Sequence, residues 1–298
     1  MYIQCYILYS KINNYLPSKY YNLKLINKIG EGNYGIVYEL NKNYVVKIFK
    51  NSFANSNINN ESNSLIPLKN ENREINFFIQ YLNNKQNTNN SFFIDVKAIG
   101  VIIKDCDLYN IKVNKDSFFM IMPSCISIYN LLNLWKKPLI NEKNGIELIL
   151  NIMKRMIYIQ LYLYNEYKLF NLDIKLDNFM IDRKKKLSID NIINIDLGLI
   201  KTKTSETYSF NYNYNIWPKG DNLNLDKIPS YSLCINCLEI LLGKKILNNM
   251  NNIYIREQLN ILKNNVEVFN IFYNGLLLKL NLKQLLKLIL SYLENNNK

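Results

Sequence analysis

Apolar and polar residues alternate through residues 23 to 50 around a glycine-bearing turn. This period of two predicts a strand, a hairpin and a further strand ending in the β-rich VVKIFK at 45 to 50. Residues 51 to 64, rich in Asn and Ser, break the pattern and read as a flexible insertion or loop. A helical period follows, from about Lys69 to Leu82, placing Glu74 on one face with Ile75, Phe78 and Ile79. After a second polar gap, NNKQNTNN at 83 to 90, strands are expected near 92 to 104 and 117 to 122. The pattern then turns helical. GIELILNIMKRMIYIQLYLYNEYKLF, from Gly145 to Phe170, predicts a long helix, and YSLCINCLEILLG, from Tyr231 to Gly243, predicts a buried one. Residues 253 to 294 predict two or three amphipathic helices, and their Leu-rich faces, such as Leu285, Leu286, Ile289 and Tyr292, are suited to closing a core. Strands first and helices after give an α+β class.

With 298 residues and 48% hydrophobic content, the chain is long enough for two adjacent cores. Its abundance of Asn, Lys, Ile and Tyr resembles the imprint of an AT-rich genome and says little about chemistry. The absence of His is more informative, because it removes Ser-His-Asp triads, Cys-His dyads and His-ligated zinc together. Five Cys make no disulfide framework and point to a reducing compartment. Cys234 and Cys237 form C-x-x-C inside an apolar helical run with no second ligand pair, and so read as buried helix positions. A net charge of +13 attracts anions of any kind. Only Lys184, Lys185 and Lys186 cluster tightly, where a turn between two short strands is expected, so a nucleic-acid contact is not. No apolar run reaches the roughly eighteen residues of a membrane span, and YIQCYILYS near the start lacks a basic leader. A soluble, intracellular, cytoplasmic protein with no transmembrane segment is expected.

Four motifs carry the chemistry. Gly30, Gly32 and Gly35 make G-x-G-x-x-G, followed by Val37, in IGEGNYGIV. The same spacing occurs in dinucleotide-binding turns, but those lead into a helix, whereas here a strand bearing Lys47 follows. FNLDIKLDNFMI at 170 to 181 sets Asp173, Lys175 and Asn178 in D-x-K-x-x-N, and NIDLGLI at 194 to 200 sets Asp196 in D-L-G. A base, a phosphate-binding cation and two oxygen ligands for a metal are equipment for phosphoryl transfer.

In this order the motifs resemble the signatures of the protein kinase superfamily over roughly residues 23 to 290. The resemblance implies a bilobal fold with a small β-rich N-lobe holding one main helix and a larger, mainly α-helical C-lobe. The kinase domain would then run 23–298, with the N-lobe at about 23–122, the hinge at about 123–126 and the C-lobe at about 127–298, and 1–22 would be an N-terminal extension. It further implies ATP and magnesium. Ile29, Gly30, Glu31, Gly32, Asn33, Tyr34, Gly35, Ile36 and Val37 would cover the nucleotide, with Ile29 and Val37 sandwiching adenine and Met122 as gatekeeper before Pro123 to Cys125. Lys47, fixed by Glu74 rather than Glu71, would hold the α- and β-phosphates. Asp173 would be the catalytic base, Lys175 would neutralise the γ-phosphoryl, and Asn178 and Asp196 would bind metal. Lys175 is the mark of kinases directed to protein Ser/Thr, so protein substrates are expected.

The chain also departs from the family. Asn171-Leu172-Asp173 replaces His-Arg-Asp, which removes the cation that receives a phosphorylated activation loop, although Thr202, Thr204, Ser205, Thr207 and Tyr208 lie there. Asn171 is expected to weaken the hydrophobic spine, and Leu197 stands for the Phe of D-F-G. NIWPKGDN at 215 to 222 keeps Pro218 of Ala-Pro-Glu without the Glu, and Pro229 stands where the central helix usually has an Asp, for which Asp226 is the candidate substitute. Such trimming resembles divergent kinases of large DNA viruses or AT-rich parasites, whose setting would be host cytoplasm or virion. The alternatives are a pseudokinase that binds nucleotide or partners, a small-molecule kinase on the same fold, and a nucleic-acid binder resting on charge.

Overall fold

The computed structural model describes residues 2–12, 16, 19–32, 35–52, 73–84, 92–108, 111–133, 138–142, 144–202, 207–208, 218, 223–244, 246 and 252–296. Outside them fall the insertion at 53–64, Glu71 and the predicted start of its helix, most of the gap at 83–90, Asn33 and Tyr34, Thr204 and Ser205, and all of 215–222 except Pro218. The chain divides into two compact units, residues 1–125 with 182–186, and residues 126–181 with 187–298.

The first unit is built on seven strands: β1 (Tyr2–Ser10), β2 (Tyr20–Lys24), β3 (Lys28–Glu31), β4 (Gly35–Asn41), β5 (Tyr44–Ser52), β6 (Ala98–Ile102) and, after a hairpin of β7 (Cys106–Leu108) and β8 (Ile111–Val113), β9 (Ser117–Pro123). Their order in the sheet is β2-β1-β6-β9-β5-β4-β3. The expected hairpins at 23 to 50 are present, and the helix that follows, α1 (Arg73–Asn84), extends two residues beyond the anticipated Leu82. Residues 2–10 and 20–24 are strands of this same sheet rather than an appendage to it. The physical reason is their alternation: Ile3, Cys5 and Ile7 point one way and are fully buried in a core shared with Val46, Ile48, Phe119 and Ile121. Leu108 and Val113 of the β7–β8 hairpin belong to that core as well. On α1, Phe77 and Tyr81 stack and meet Phe93 edge-on.

The division between units falls inside β10 (Cys125–Ser127). The second unit is mainly helical: α2 (Ile128–Asn133), α3 (Gly145–Tyr167), α4 (Ile228–Leu242), α5 (Asn252–Gln258), α6 (Val266–Leu276) and α7 (Leu282–Asn296). Short strands β11 (Leu169–Asn171), β12 (Phe179–Asp182), β13 (Ile193–Asn194), β14 (Ile200–Thr202), β15 (Thr207–Tyr208) and β16 (Leu223–Asn224) lie between α3 and α4. α4 is the buried helix expected from its composition. It ends at Gly243, whose φ of 63° is the left-handed cap that glycine adopts without strain. Cys234 and Cys237 are free and buried within it, and burial pushes the Cys237 thiol up to about 12. Gly275 of α6 passes so close that a Cβ there would lie 2.3 Å from Cys234 Sγ, which is why a residue without a side chain stands at this crossing. Leu285 and Ile289 of α7 are buried, so the tail closes this unit's core as its periodicity predicts. Lys184 to Lys186 occupy the anticipated turn after β12, and Lys184 lies 5.1 Å from the Tyr44 ring centroid. Among the described residues no helix is long and apolar enough to cross a membrane.

Candidate active site

In the first unit, alternation along β5 decides the outcome. Val46 and Ile48 enter the core, so Lys47 faces the opposite side of the sheet, opposite Val37 on β4 and Met120 on β9. There its ammonium meets both carboxylate oxygens of Glu74, in the first turn of α1, at 2.9 and 2.7 Å. Lys47 is 8% and Glu74 3% exposed, so this is a desolvated pair, held at a desolvation cost that surface pairs do not bear. The Phe49 ring lies 5.1 Å from the same nitrogen and adds a cation–π contact.

The glycine turn joins β3 to β4, with the Gly32 amide donating to the Gly35 carbonyl. A Cβ on Gly35 would come within 2.8 Å of the Ile48 carbonyl oxygen, so the glycine lets β4 lie close to the Lys47 strand. Glu31 accepts from Lys28 and Lys50, and these two bonds hold its carboxyl down at about 2. Glu31 thus links β3 to β5 across the surface through Lys50. Ile29 is 56% exposed, Ile36 is buried and Val37 half-buried, and Met122 is buried opposite Val45.

In the second unit, α3 ends at Lys168 in a left-handed conformation, its amide donating to the Tyr164 carbonyl. The chain turns directly into β11, which pairs antiparallel with β14 so that Asn171 faces Ile200. β12 pairs with β13, setting Phe179 opposite Asn194. These two ladders bring the loop at 172–178 beside the loop at 195–199, and the Ile195 amide donates to the Asn178 carbonyl. Asp173, Lys175, Asn178 and Asp196 are thereby assembled from two separate motifs. One Asp173 carboxylate oxygen accepts from Lys175 Nζ at 2.9 Å and from Asn178 Nδ2 at 3.0 Å. Asn178 Nδ2 also donates to the Asp173 carbonyl, which fixes the orientation of the amide. The Asp196 carboxylate accepts from the Gly198 amide at 3.1 Å.

Asn171 is fully buried and engaged at both ends, and Leu197, next to Asp196 in sequence, is buried too. The Asn171 side-chain amide donates to the Asp196 carbonyl and accepts from the Asp173 amide. A further tie escaped sequence reasoning: Asn236, in the middle of α4, donates to the Ile174 carbonyl at 3.1 Å and to Ser232 at 2.8 Å. The sequence expectation for a tether to the 172–178 loop is a carboxylate, Asp226, near the start of α4. The available signal was a lone amide inside an apolar run. Asp226 lies just before α4, its amide donating to Asn224.

Among the described residues no cluster of three or more His, Cys, Asp or Glu side chains forms a ready metal cage. Magnesium does not need one, because it takes one or two protein oxygens and completes its octahedron with phosphate oxygens and water. The Asp196 carboxylate and the amide oxygen of Asn178, whose Nδ2 is taken up by Asp173, are hard donors of that kind. The residues fit the ion.

No family model and no curated protein matches the sequence. Solved structures do match. A crystal structure of the BubR1 kinase domain is similar at a TM-score of 0.59 and 13% identity, covering 93% of this chain and 81% of that one. The ROP18 kinase domain, in a complex with AMP-PNP and sucrose, is similar at a TM-score of 0.59 and 12% identity, covering 100% of this chain and 87% of that one. The chain therefore has a protein-kinase-like fold.

Proposed function

We propose that this chain is a serine/threonine protein kinase that transfers the γ-phosphate of ATP to hydroxyls on protein substrates. The observation that carries the reading is the setting of Asp173, a buried carboxylate held by Lys175 at 2.9 Å and Asn178 at 3.0 Å. A carboxylate locked in one orientation can accept the proton of a serine or threonine hydroxyl as its oxygen attacks the γ-phosphorus. The bond to the β-phosphate oxygen then breaks and ADP leaves. Lys175, already in hydrogen-bonding contact with the base, is the cation that offsets charge on the transferred group. Lys47, oriented by Glu74, holds the α- and β-phosphates, and the turn from Ile29 to Val37 covers the nucleotide. Asp196 and Asn178 would hold magnesium, which supplies charge neutralisation at the phosphates when bound. All five cysteines are free, which agrees with an intracellular, cytoplasmic setting where ATP is available.

The test is transfer of radiolabelled γ-phosphate, with magnesium, to the protein itself, to casein and to a basic test protein, for wild type and Asp173→Ala. Phosphoserine or phosphothreonine should appear with wild type and fall by about 10²- to 10⁴-fold in the variant. A folded protein that binds ATP yet transfers nothing is a pseudokinase. Label found on a soluble alcohol and not on protein would make it a small-molecule kinase. Absence of nucleotide binding would remove the whole assignment.

A further inference from the structure

Two carboxylates, Asp173 and Asp196, have to be held at a fixed separation if one accepts a proton while the other faces phosphate and metal. Backbone ladders bring their loops together, and side-chain amides reach the two peptides that carry the carboxylates. Two fully buried asparagines act at that point. Asn171 accepts from the Asp173 amide through Oδ1 at 2.9 Å and donates through Nδ2 to the Asp196 carbonyl at 3.3 Å. Asn194 accepts from the Asp196 amide at 3.2 Å. The residue bearing the second carboxylate is thus held on its amide by Asn194 and on its carbonyl by Asn171, and Asn171 extends the same side chain to the first. Among the described residues, Asn194 Nδ2 is buried with no hydrogen-bond partner. A buried amide donor left without a partner is destabilising, so Asn194 is not explained by stability alone; its oxygen is what holds the Asp196 amide.

We infer that Asn171 and Asn194 are positioning residues that clamp the Asp196 peptide and set its carboxylate relative to Asp173. This rests on the phosphoryl-transfer reading above. Only an amide or a comparable donor and acceptor pair can serve at 171, because one atom must accept from N–H while the other donates to C=O. Leucine has nearly the same shape with neither function. Aspartate keeps the acceptor and sets an oxygen against the Asp196 carbonyl. The metal-facing carboxylate then loses its fixed orientation, whereas the flap and the Lys47–Glu74 pair, which belong to the first unit, are untouched.

The experiment separates these contributions by measuring ATP affinity of the full chain with EDTA and with magnesium, beside the melting temperature. For wild type, magnesium should strengthen binding. In Asn171→Leu and Asn171→Asp, affinity in EDTA should stay at the wild-type value while the strengthening by magnesium falls by about 10- to 100-fold, the usual effect of losing a group that orients a metal ligand. If Asn171→Leu does not fold, Asn171→Ser reads the same split, since its shorter hydroxyl cannot span both partners. Full magnesium strengthening in the variants overturns the inference. So does a loss in EDTA that parallels the drop in melting temperature, which is the mark of a merely structural residue. Wild type that binds ATP without any response to magnesium removes the phosphoryl-transfer reading and the clamp with it, an outcome distinct from variants that behave like wild type.

Discussion

Lys47 and Glu74 are both almost completely removed from water, so neither is cheap to leave alone. Glu74→Leu strands a buried ammonium, and the expected loss of unfolding free energy is about 3–5 kcal/mol. Lys47→Met combined with Glu74→Leu replaces both charges with apolar groups of similar size, and most of that loss should be recovered. If the proposed role of Lys47 holds, both proteins should bind nucleotide weakly, because that cation is absent in one and unanchored in the other. Urea unfolding and ATP titration of the single and double variants test this. A single variant no less stable than the double would mean that the pair is not a coupled, desolvated unit. Lys47, Asp173, Asn178 and Asp196 stand out in the sequence as candidates because short, ordered spacings mark them. The contacts of Asn236 with Ile174 and of Asn171 with Asp196 were not legible there, because they join residues 62 and 25 positions apart and exist only once the ladders and α4 have packed.

Elements were legible where one period dominates. The strands of the glycine turn, the long α3, the buried α4 and the three tail helices all follow from alternation or helical spacing. β1 and β2 did not, since tyrosines on both faces of YIQCYILYS blur the division between inward and outward positions that marks a strand. Yet β1 lies between β2 and β6, and Gly100 of β6 is the adaptation that admits it: a Cβ at 100 would lie 2.3 Å from the Tyr6 carbonyl oxygen. Removing residues 1–24 uncovers the edge of β6 and takes Ile3, Cys5, Ile7 and Leu23 from the core. An apolar, unpaired strand edge recruits other chains, so the truncated protein should aggregate or elute as large oligomers on size exclusion. A monomeric truncation with an unchanged melting temperature would show instead that the hairpin adds nothing to this sheet's stability.

At the scale of the whole molecule the dominant property is its charge, 37 basic against 24 acidic residues. Such a field acts on substrates before any contact is made, raising the encounter rate of anionic partners and lowering that of cationic ones. It acts at both ends of the proposed reaction, since ATP is itself an anion, and so it cannot by itself distinguish nucleotide from protein substrate. Peptide choice can. If the catalytic reading holds, peptides with acidic residues flanking the target Ser or Thr should show higher kcat/KM than matched peptides with basic flanks. The advantage should reside in KM and shrink as salt rises, because the screening length falls from about 10 Å at 0.1 M to about 3 Å at 1 M. A preference that survives high salt would come from direct contacts in the substrate groove. A preference for basic flanks would mean that the field near the reacting hydroxyl is opposite in sign to that of the molecule as a whole, set by Asp173, Asp177 and Asp196 and not by the surplus of lysine.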